Sequence, residues 1–287
     1  MSDRILILTF DLEDWFHILD NRPTNSLSEW QKFPSRIHRN TERVLTLLEQ
    51  QDQKATFFCL GWIAQKYPEV IKSIDSAGHE IGCHSNHHQL VYKQTPDEFR
   101  QDTDIAIKCL ENITGKKIVS YRAPGFSITK KTNWAFEILA ELGIERDSSI
   151  FPAYRSHGGY LSFGTSSPTK IRVNGLVIKE FPMNTLPLLR LPIAYSGGGF
   201  FRIFPSFALD YFIKHDNYVM TYYHPRDFDP DQPLIPGLNI LRIFKSYVGL
   251  KSAFSKLANW IENYQFINIE EADKLIDWES VNTIYIS

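Results

Sequence analysis

Apolar and polar positions along this chain keep two alternating rhythms. Short unbroken apolar runs read as buried strands: Ile5-Leu6-Ile7-Leu8-Thr9-Phe10, Ala55-Thr56-Phe57-Phe58-Cys59-Leu60, His79-Glu80-Ile81-Gly82-Cys83 and Tyr218-Val219-Met220-Thr221-Tyr222-Tyr223. Val119-Ser120-Tyr121-Arg122 and Ile144 to Asp147 read as shorter ones. Between them apolar residues recur at helical spacing. Val44, Leu47 and Leu48 predict a helix within Arg39 to Gln51, and Ile63, Val70, Ile71 and Ile74 one that stops at Ala77-Gly78. Thr95-Pro96-Asp97-Glu98 is a capped helix start, and that helix runs on to Asn112 before Gly115 ends it. Trp134 to Leu142 and Ser246 to Asn263 predict two more.

Two stretches lack either rhythm. Asn21 to Pro34 reads as a long polar loop over the strand ends, and residues 151–200 as irregular loops and hairpins crossing a rim, with short β runs such as Leu176-Val177-Ile178. No repeat or linker divides the chain, so a single domain over 1–287 is expected, with a helical portion at 240–287. Strands alternating with helices through short connections imply an α/β fold whose mainly parallel sheet closes as a barrel.

Composition narrows the function classes. A formal charge of −2 gives no electrostatic case for nucleic acid or an anionic membrane surface. Aromatic residues reach 14%, enough to pack a core and leave rings for stacking on sugars. Cys59, Cys83 and Cys109 are an odd number without metal-type spacing, which fits a reducing compartment; Cys83, beside His84, reads as a small buried strand-end residue. Met1-Ser2-Asp3-Arg4 runs straight into an apolar run too short for a leader or a span, so a cytoplasmic location is expected. Gly197-Gly198-Gly199 lacks the strand–turn–helix setting of a phosphate loop and reads as a flexible rim turn.

Five segments place polar residues just after a predicted strand: Asp11 to Asp14, His84 to His88, Arg122 to Gly125, Asp147 to Ser149, and His224-Pro225. Strand ends of a barrel converge on one face, so these segments assemble one site. His84 and His88, four apart, share a face if the segment turns as a helix, and their imidazoles then hold one divalent metal; His87 would point about 100° away. Ser85 and Asn86 are placed to orient those imidazoles. The acid cluster supplies a general base, Asp11, and a third ligand, Glu13 or Asp14. Arg122 is a cation beside the base carboxylate, and His224 can protonate a leaving amine at neutral pH. His17, His38, His79, His157 and His215 read as satisfied or exposed.

These motifs resemble the polysaccharide deacetylases with a NodB-homology domain, carbohydrate esterase family four. His84-Ser85-Asn86-His87-His88 matches the family's H-[ST]-x-x-H motif and Arg122-Ala123-Pro124-Gly125 its arginine-proline motif. Asp147-Ser148-Ser149 resembles its aspartate-serine motif and Tyr222-Tyr223-His224-Pro225 its terminal histidine motif. Phe10-Asp11-Leu12-Glu13-Asp14-Trp15 and His224-Pro225-Arg226-Asp227-Phe228-Asp229-Pro230 are closest to the exopolysaccharide-associated and allantoinase-like branch. The resemblance covers Thr9 to Pro225. It implies a distorted (β/α)7 barrel, one divalent ion such as Zn2+, and hydrolysis of an N-acyl, typically N-acetyl, group on a sugar. Carried over by position, Asp11 is the base, His84 and His88 are ligands, Arg122 tethers Asp11, and His224 is the acid. One departure stands out: the family's first motif has two adjacent aspartates, but Leu12 follows Asp11 and cannot bind metal, so the ligand moves to Glu13 or Asp14.

The reaction so implied is metal-assisted amide hydrolysis, with a backbone N–H at Tyr154 or a neighbour in the rim loop helping to stabilise the oxyanion. A cytoplasmic enzyme would meet a nucleotide-linked sugar or a lipid-linked glycan precursor. A hydrolase of small cyclic ureides or amides on the same barrel predicts turnover of allantoin-like compounds instead, and a glycan-binding relative without turnover predicts binding without acetate release.

Overall fold

The first apolar run is broken at Leu8 into β1 (Ile5–Ile7) and β2 (Thr9–Leu12) in the computed structural model, which describes residues 4–188 and 191–286; Met1, Ser2 and Asp3 lie outside the described residues. The later strands are β3 (Thr56–Cys59), β4 (Glu80–Cys83), β5 (Ser120–Tyr121), β6 (Arg146–Asp147), β7 (Thr169–Val173), β8 (Leu176–Glu180), β9 (Leu186–Leu188), β10 (Leu191–Ile193), β11 (Tyr218–Met220) and β12 (Thr283–Ile286). Parallel ladders run β2–β3–β4–β5–β6–β8, and β11 lies parallel to β1 on the far side of the first run. With β1 and β2 counted as one broken strand, the parallel staves are β1/β2, β3, β4, β5, β6, β8 and β11, seven in all. β9 and β10 form a separate antiparallel pair.

The α/β fold is as expected, but no strand ladder among the described residues closes the barrel. At the seam between the chain after β8 and β11 the described residues make one isolated parallel backbone bridge, Gly197 to Tyr222, with the Tyr222 amide on the Ser196 carbonyl (3.1 Å), and side chains supply the other links. Asn184 Oδ1 accepts from the Met220 amide (3.0 Å), Ser196 Oγ donates to the Met220 carbonyl (2.8 Å), and Tyr218 donates its hydroxyl to the Pro182 carbonyl (2.8 Å).

Strand parity sorts the first run into two faces. Leu6, Leu8, Phe10 and Leu12 join the outer core under the helices, while Ile7 faces inward with Phe58, Phe126, Phe151 and Met220. By the same alternation Thr9 and Asp11 point into the barrel.

Several expected elements are redrawn. The helix expected around Ile63 to Ile74 is two, Gly61–Lys66 and Pro68–Ser76, because Pro68 has no N–H to continue the first. The last long helix is likewise split, Ile240–Tyr247 and Leu250–Asn263, around Gly249 at φ +73°. Within 151–200, β7 and β8 are an antiparallel hairpin that belongs to the main sheet, not to the rim. Gly198 opens a short helix, Gly198–Ile203, and its amide bonds the Tyr222 carbonyl (3.0 Å), so the triple glycine is not a free turn. The C-terminal portion is not all helical: after the helix Ile269–Leu275 it returns as β12, which pairs with β7. No helix among the described residues is long and apolar enough to cross a membrane.

Candidate active site

Thr9 and Asp11, turned inward by strand parity, meet Arg122 just beyond β5. Arg122 is fully buried. Its Nη1 donates to Asp11 Oδ1 (2.8 Å) and to Thr9 Oγ1 (2.7 Å), its Nη2 to Ser148 Oγ (2.9 Å), and its Nε to the Ser148 carbonyl (3.2 Å). The guanidinium lies 4.3 Å from the centre of the Phe58 ring. A buried charge is tolerable only when paired and fully hydrogen-bonded, and Arg122 meets both conditions. Asp11 is thereby held by one oxygen, while its Oδ2 lies 3.9 Å from His84 Nε2.

Residues 84–88 do not form a helical turn. Ser85 (φ +68°) and His88 (φ +54°) take left-handed backbone, each costing about 1–3 kcal/mol in a non-glycine residue, and the loop instead curls back on itself. Its carbonyls hold it: Ser85 and Asn86 accept from the Gly61 and Trp62 amides, at the start of the helix Gly61–Lys66. Ser85 Oγ accepts from the His88 amide (3.0 Å), so it shapes the loop rather than an imidazole. The result brings the His84 and His88 rings to a 5.4 Å separation, while His87 turns away to Asp102 (Nδ1 to Oδ1, 2.8 Å).

Glu13 completes this cluster. Its Oε1 lies 3.1 Å from His84 Nε2, 2.8 Å from His88 Nε2 and 3.7 Å from His224 Nε2. Burial works against its anion, but the charges of His88 and His224 and the hydrogen bond with His84 hold its carboxyl well below the ordinary carboxylate value. Asp14, one residue on, is directed elsewhere. Its carboxylate accepts from the Trp15 amide (2.8 Å), the Arg36 amide (3.0 Å) and the Ser35 hydroxyl, and it is not among the groups that converge with the histidines.

The donor set fits a divalent cation on its own chemistry. One donor atom from each of Glu13, His84 and His88 lies within 4.8 Å of the others. His84 Nδ1 is 2.7 Å from the Arg122 carbonyl, which can only accept, so Nδ1 carries the proton. A neutral His84 then aims its Nε2 lone pair at Glu13, and a cation or a second proton must sit between them. His88 Nε2, buried and close to the same oxygen, is not aligned with it and has no hydrogen-bond partner among the described residues. Two imidazoles and a carboxylate, one imidazole oriented by a backbone carbonyl, suit Zn2+ or a similar ion.

His224 faces the cluster from β11's side of the barrel. Asp227 Oδ2 accepts from both its backbone amide and its Nδ1 (3.0 Å each), because a 3-10 turn over Pro225–Phe228 folds the chain back on itself. Burial disfavours the imidazolium, yet Tyr222, Glu13 and Asp227 outweigh it and push the pKa up to about 10. One donor atom from each of Asp11, Glu13 and His224 also lies within 4.8 Å of the others, so two carboxylates and a histidine flank the same point.

Behind Arg122 lies a second buried group that the strand-end reading only partly anticipated. Asp147 Oδ1 accepts from Ser149 Oγ (2.7 Å), and that Oγ in turn accepts from the Ala123 amide (2.8 Å), which fixes the turn after Arg122. Glu180 is buried beside Asp147, with Oε1 accepting from the Ile150 amide (3.1 Å), and burial raises both carboxyls, Glu180 strongly, with the charge of Asp147 adding to the rise.

Four further residues stand at this site, none of them given a role there by local pattern. His17 is buried, with Nδ1 accepting from the Asp14 amide (3.0 Å), so the proton sits on Nε2; burial and the nearby His88 charge keep the ring neutral. Asp227, Arg226 and Arg155 are the others. An acid three residues after His224, across a proline, was the readable signal for Asp227. Together with Asp11, Glu13, His88 and His224 these residues line a cleft of about 220 Å3. It adjoins a larger cavity of about 790 Å3 that includes His17, His88, Trp30 and Lys93. Tyr154 is exposed and lies outside the cleft lining, where Gly125 and Arg155 stand instead.

Residues 1–146 match a family model described as polysaccharide deacetylase, and residues 148–274 one described as a domain of unknown function, DUF3473. Asp11, Glu13, His84, His88 and Arg122 thus fall in the first match and His224, Arg226 and Asp227 in the second. Over 98 residues the chain is 35% identical to a peptidoglycan-N-acetylglucosamine deacetylase of Bacillus cereus, which is 34% of this chain and 36% of that protein. Over 111 residues it is 32% identical to a peptidoglycan deacetylase of Helicobacter pylori, 38% of this chain and 36% of that one. Among solved structures, a Mycobacterium smegmatis protein assigned as a polysaccharide deacetylase superposes with a TM-score of 0.67 at 18% identity, over 100% of this chain and 95% of its own. A carbohydrate esterase family four pseudoenzyme from Bacillus anthracis also shares the fold, with a TM-score of 0.52 at 15% identity, over 99% of this chain and 68% of its own.

Proposed function

The chain belongs to the polysaccharide deacetylase family, and from that premise we propose that it hydrolyses the N-acyl group, typically N-acetyl, of an amino sugar in a glycan or glycan precursor. The observation that carries this reading is the convergence of a carboxylate held by a buried arginine, a Glu–His–His donor set and an acid-paired histidine on one point. The shared fold alone does not carry it, since a pseudoenzyme has that fold too.

Glu13, His84 and His88 are the residues that would hold the divalent ion; Asp14 is withdrawn from that role by its bonds to Trp15, Ser35 and Arg36. When bound, the ion supplies Lewis acidity that polarises an acyl carbonyl and makes water more acidic. Asp11 takes a proton from the attacking water, and Arg122 keeps that carboxylate in one orientation. As the C–N bond breaks, His224 gives its Nε2 proton to the amine nitrogen, with Asp227 holding the ring through Nδ1. Water adds across the amide, leaving a carboxylate and a free sugar amine. The adjoining cavity beside Trp30 gives a longer glycan room to extend.

The test is the metal content of the purified protein, together with acetate release from N-acetylhexosamine oligosaccharides before and after chelation. Asp11→Asn should abolish turnover and keep the metal, Glu13→Gln should lose both, and Asp14→Asn should keep the metal. A folded protein that binds no metal and releases no acetate would refute the reading.

A further inference from the structure

The charges lining the catalytic cleft are unevenly matched. Each carboxylate has a partner: Asp11 has Arg122, Glu13 has the histidines, and Asp227 has His224 with Arg202 Nε at 3.6 Å from its other oxygen. Four cations on the same lining, Arg155, Arg226, Arg242 and Lys245, form no ion pair within 4.0 Å among the described residues.

Arg226 is the most telling of them. It is only 7% exposed, and its Nε donates to Gln232 Oε1 (3.1 Å), a neutral acceptor. Its two terminal nitrogens, four of its five N–H donors, have no acceptor among the described residues, yet they are not sealed from the cleft. A guanidinium so deeply placed normally has a carboxylate or phosphate opposite it, because burying an uncompensated charge is costly. The neighbouring residues hold Arg226 in place. Gln232 Nε2 donates back to the Arg226 carbonyl (3.0 Å), and the same 3-10 turn that points Asp227 at His224 carries Arg226.

On the same lining, Arg155 lies over the rings of Phe151 (4.5 Å) and Phe126 (4.9 Å), which fix its position without neutralising it. Arg242 donates to the carbonyls of Leu19 (2.6 Å) and Asp20 (2.7 Å), so it too is positioned and remains charged.

We propose that this wall is a subsite for an anionic group, a carboxylate or a phosphate, carried by the N-acylated sugar, with the terminal nitrogens of Arg226 as its anchor and Arg155, Arg242 and Lys245 as its outer side. This rests on the sugar N-deacylase reading and narrows it to charged glycans or sugar phosphates. A paired fork of N–H donors suits either anion, and the outer cations draw the substrate in.

The experiment compares acetate release from three sugars: N-acetylglucosamine, its 1-phosphate, and N-acetylmuramic acid, which bears a carboxylate. It also measures binding of inorganic phosphate by calorimetry, for the wild-type enzyme and for Arg226→Gln and Arg155→Gln. Expected are a kcat/KM at least tenfold higher for one charged sugar than for the neutral one, carried mainly by KM, and a collapse of that ratio in Arg226→Gln. Whichever charged sugar is preferred identifies the anion. Phosphate binding should weaken at least tenfold in Arg226→Gln and less in Arg155→Gln; the second variant keeps the test open if the first does not fold. Equal kcat/KM for all three sugars, or phosphate binding unaffected by either substitution, would overturn the subsite. If no sugar is hydrolysed but phosphate binds through Arg226, the deacylase reading fails and the anion site stands.

Discussion

Replacing Arg122 tests the central contact without any knowledge of substrate. The guanidinium is fully buried and donates four hydrogen bonds to oxygen, two of them from Nη1 to Asp11 and Thr9. Arg122→Met removes the charge and leaves Asp11, itself 2% exposed, as a buried carboxylate without its partner. Breaking a buried ion pair on one side costs ~3–5 kcal/mol, a large part of a total stability of ~5–15 kcal/mol. Arg122→Lys keeps the charge, and its ammonium can reach Asp11 and Thr9 but not span to Ser148 as well. Losing one or two charge-assisted bonds costs ~2–4 kcal/mol, so this variant should fold and fall between the other two. Denaturant unfolding followed by the fluorescence of the 6 tryptophans would give both numbers. In the lysine variant, turnover per folded molecule should fall by about 100-fold or more, because a small displacement of the base is enough. The reasoning fails if Arg122→Met loses less than ~1 kcal/mol, the size of an ordinary surface change, or if Arg122→Lys works at the wild-type rate.

Other perturbations follow from the same site. His224 has its pKa raised to about 10, so the stability it contributes is complete below its unfolded value of 6.5 and is lost as pH rises through the folded value. Asp227→Asn removes one of the raising charges and should move the alkaline limb of the pH–rate profile down by ~1–3 units; an unmoved limb would rule out Asp227 as the partner. Asp147 and Glu180 both have raised carboxyl values, so their contribution is full below the ordinary carboxylate range and declines as pH climbs through the raised ones. Glu180→Gln keeps a donor for Asp147 and removes one titration, so the fall in Tm as pH rises above the ordinary carboxylate range should flatten; an unchanged slope would contradict a proton shared by the pair. Gly158→Ala would place a Cβ 2.1 Å from the Phe126 carbonyl oxygen and 2.7 Å from that of Gly125. Backbone must shift, at ~1–3 kcal/mol, and thermal unfolding should show it.

How far the sequence could be read depended on distance along the chain. Asp11, Arg122 and His224 were legible because strand parity and the convergence of strand ends follow from local pattern. Which of Glu13 and Asp14 faces the histidines was not, since Ser35 and Arg36, more than twenty residues away, hold Asp14 elsewhere. The four-residue spacing of His84 and His88 led to the expectation that their rings meet, and they do lie 5.4 Å apart, but not through a helical turn. Left-handed backbone at Ser85 and His88 bends the loop, and nothing in the spacing announces that. Some signals were present and unread. Asn174-Gly175, with φ of +46° and +83°, is the turn that makes a hairpin of β7 and β8. Asn268 and Glu271 form a capping box that begins the helix Ile269–Leu275. The cationic wall was illegible because its members come from residues 155, 226, 242 and 245, brought together only by the closing of the fold.

The seam beside β11, one backbone bridge and a few side-chain links, gives the molecule a hem rather than a welded joint. Along every ladder, a one-residue change in length would flip the inward and outward faces. Among the described residues between Asn184 and Ser196 no ladder runs along β11: Asn184 and Ser196 reach it through an amide side chain and a hydroxyl, and a single backbone bridge follows, Gly197 to Tyr222. Chain can be let out or taken in at that place while the histidine floor keeps its geometry. Gly198 and Arg202 stand just past the hem on the cleft wall, so the hem lies beside the opening of the cleft. Amide exchange at Met220, whose N–H bonds the Asn184 side chain, would then report how tightly the hem is held: faster than at Phe57 and Phe58 on β3, in the interior of the sheet.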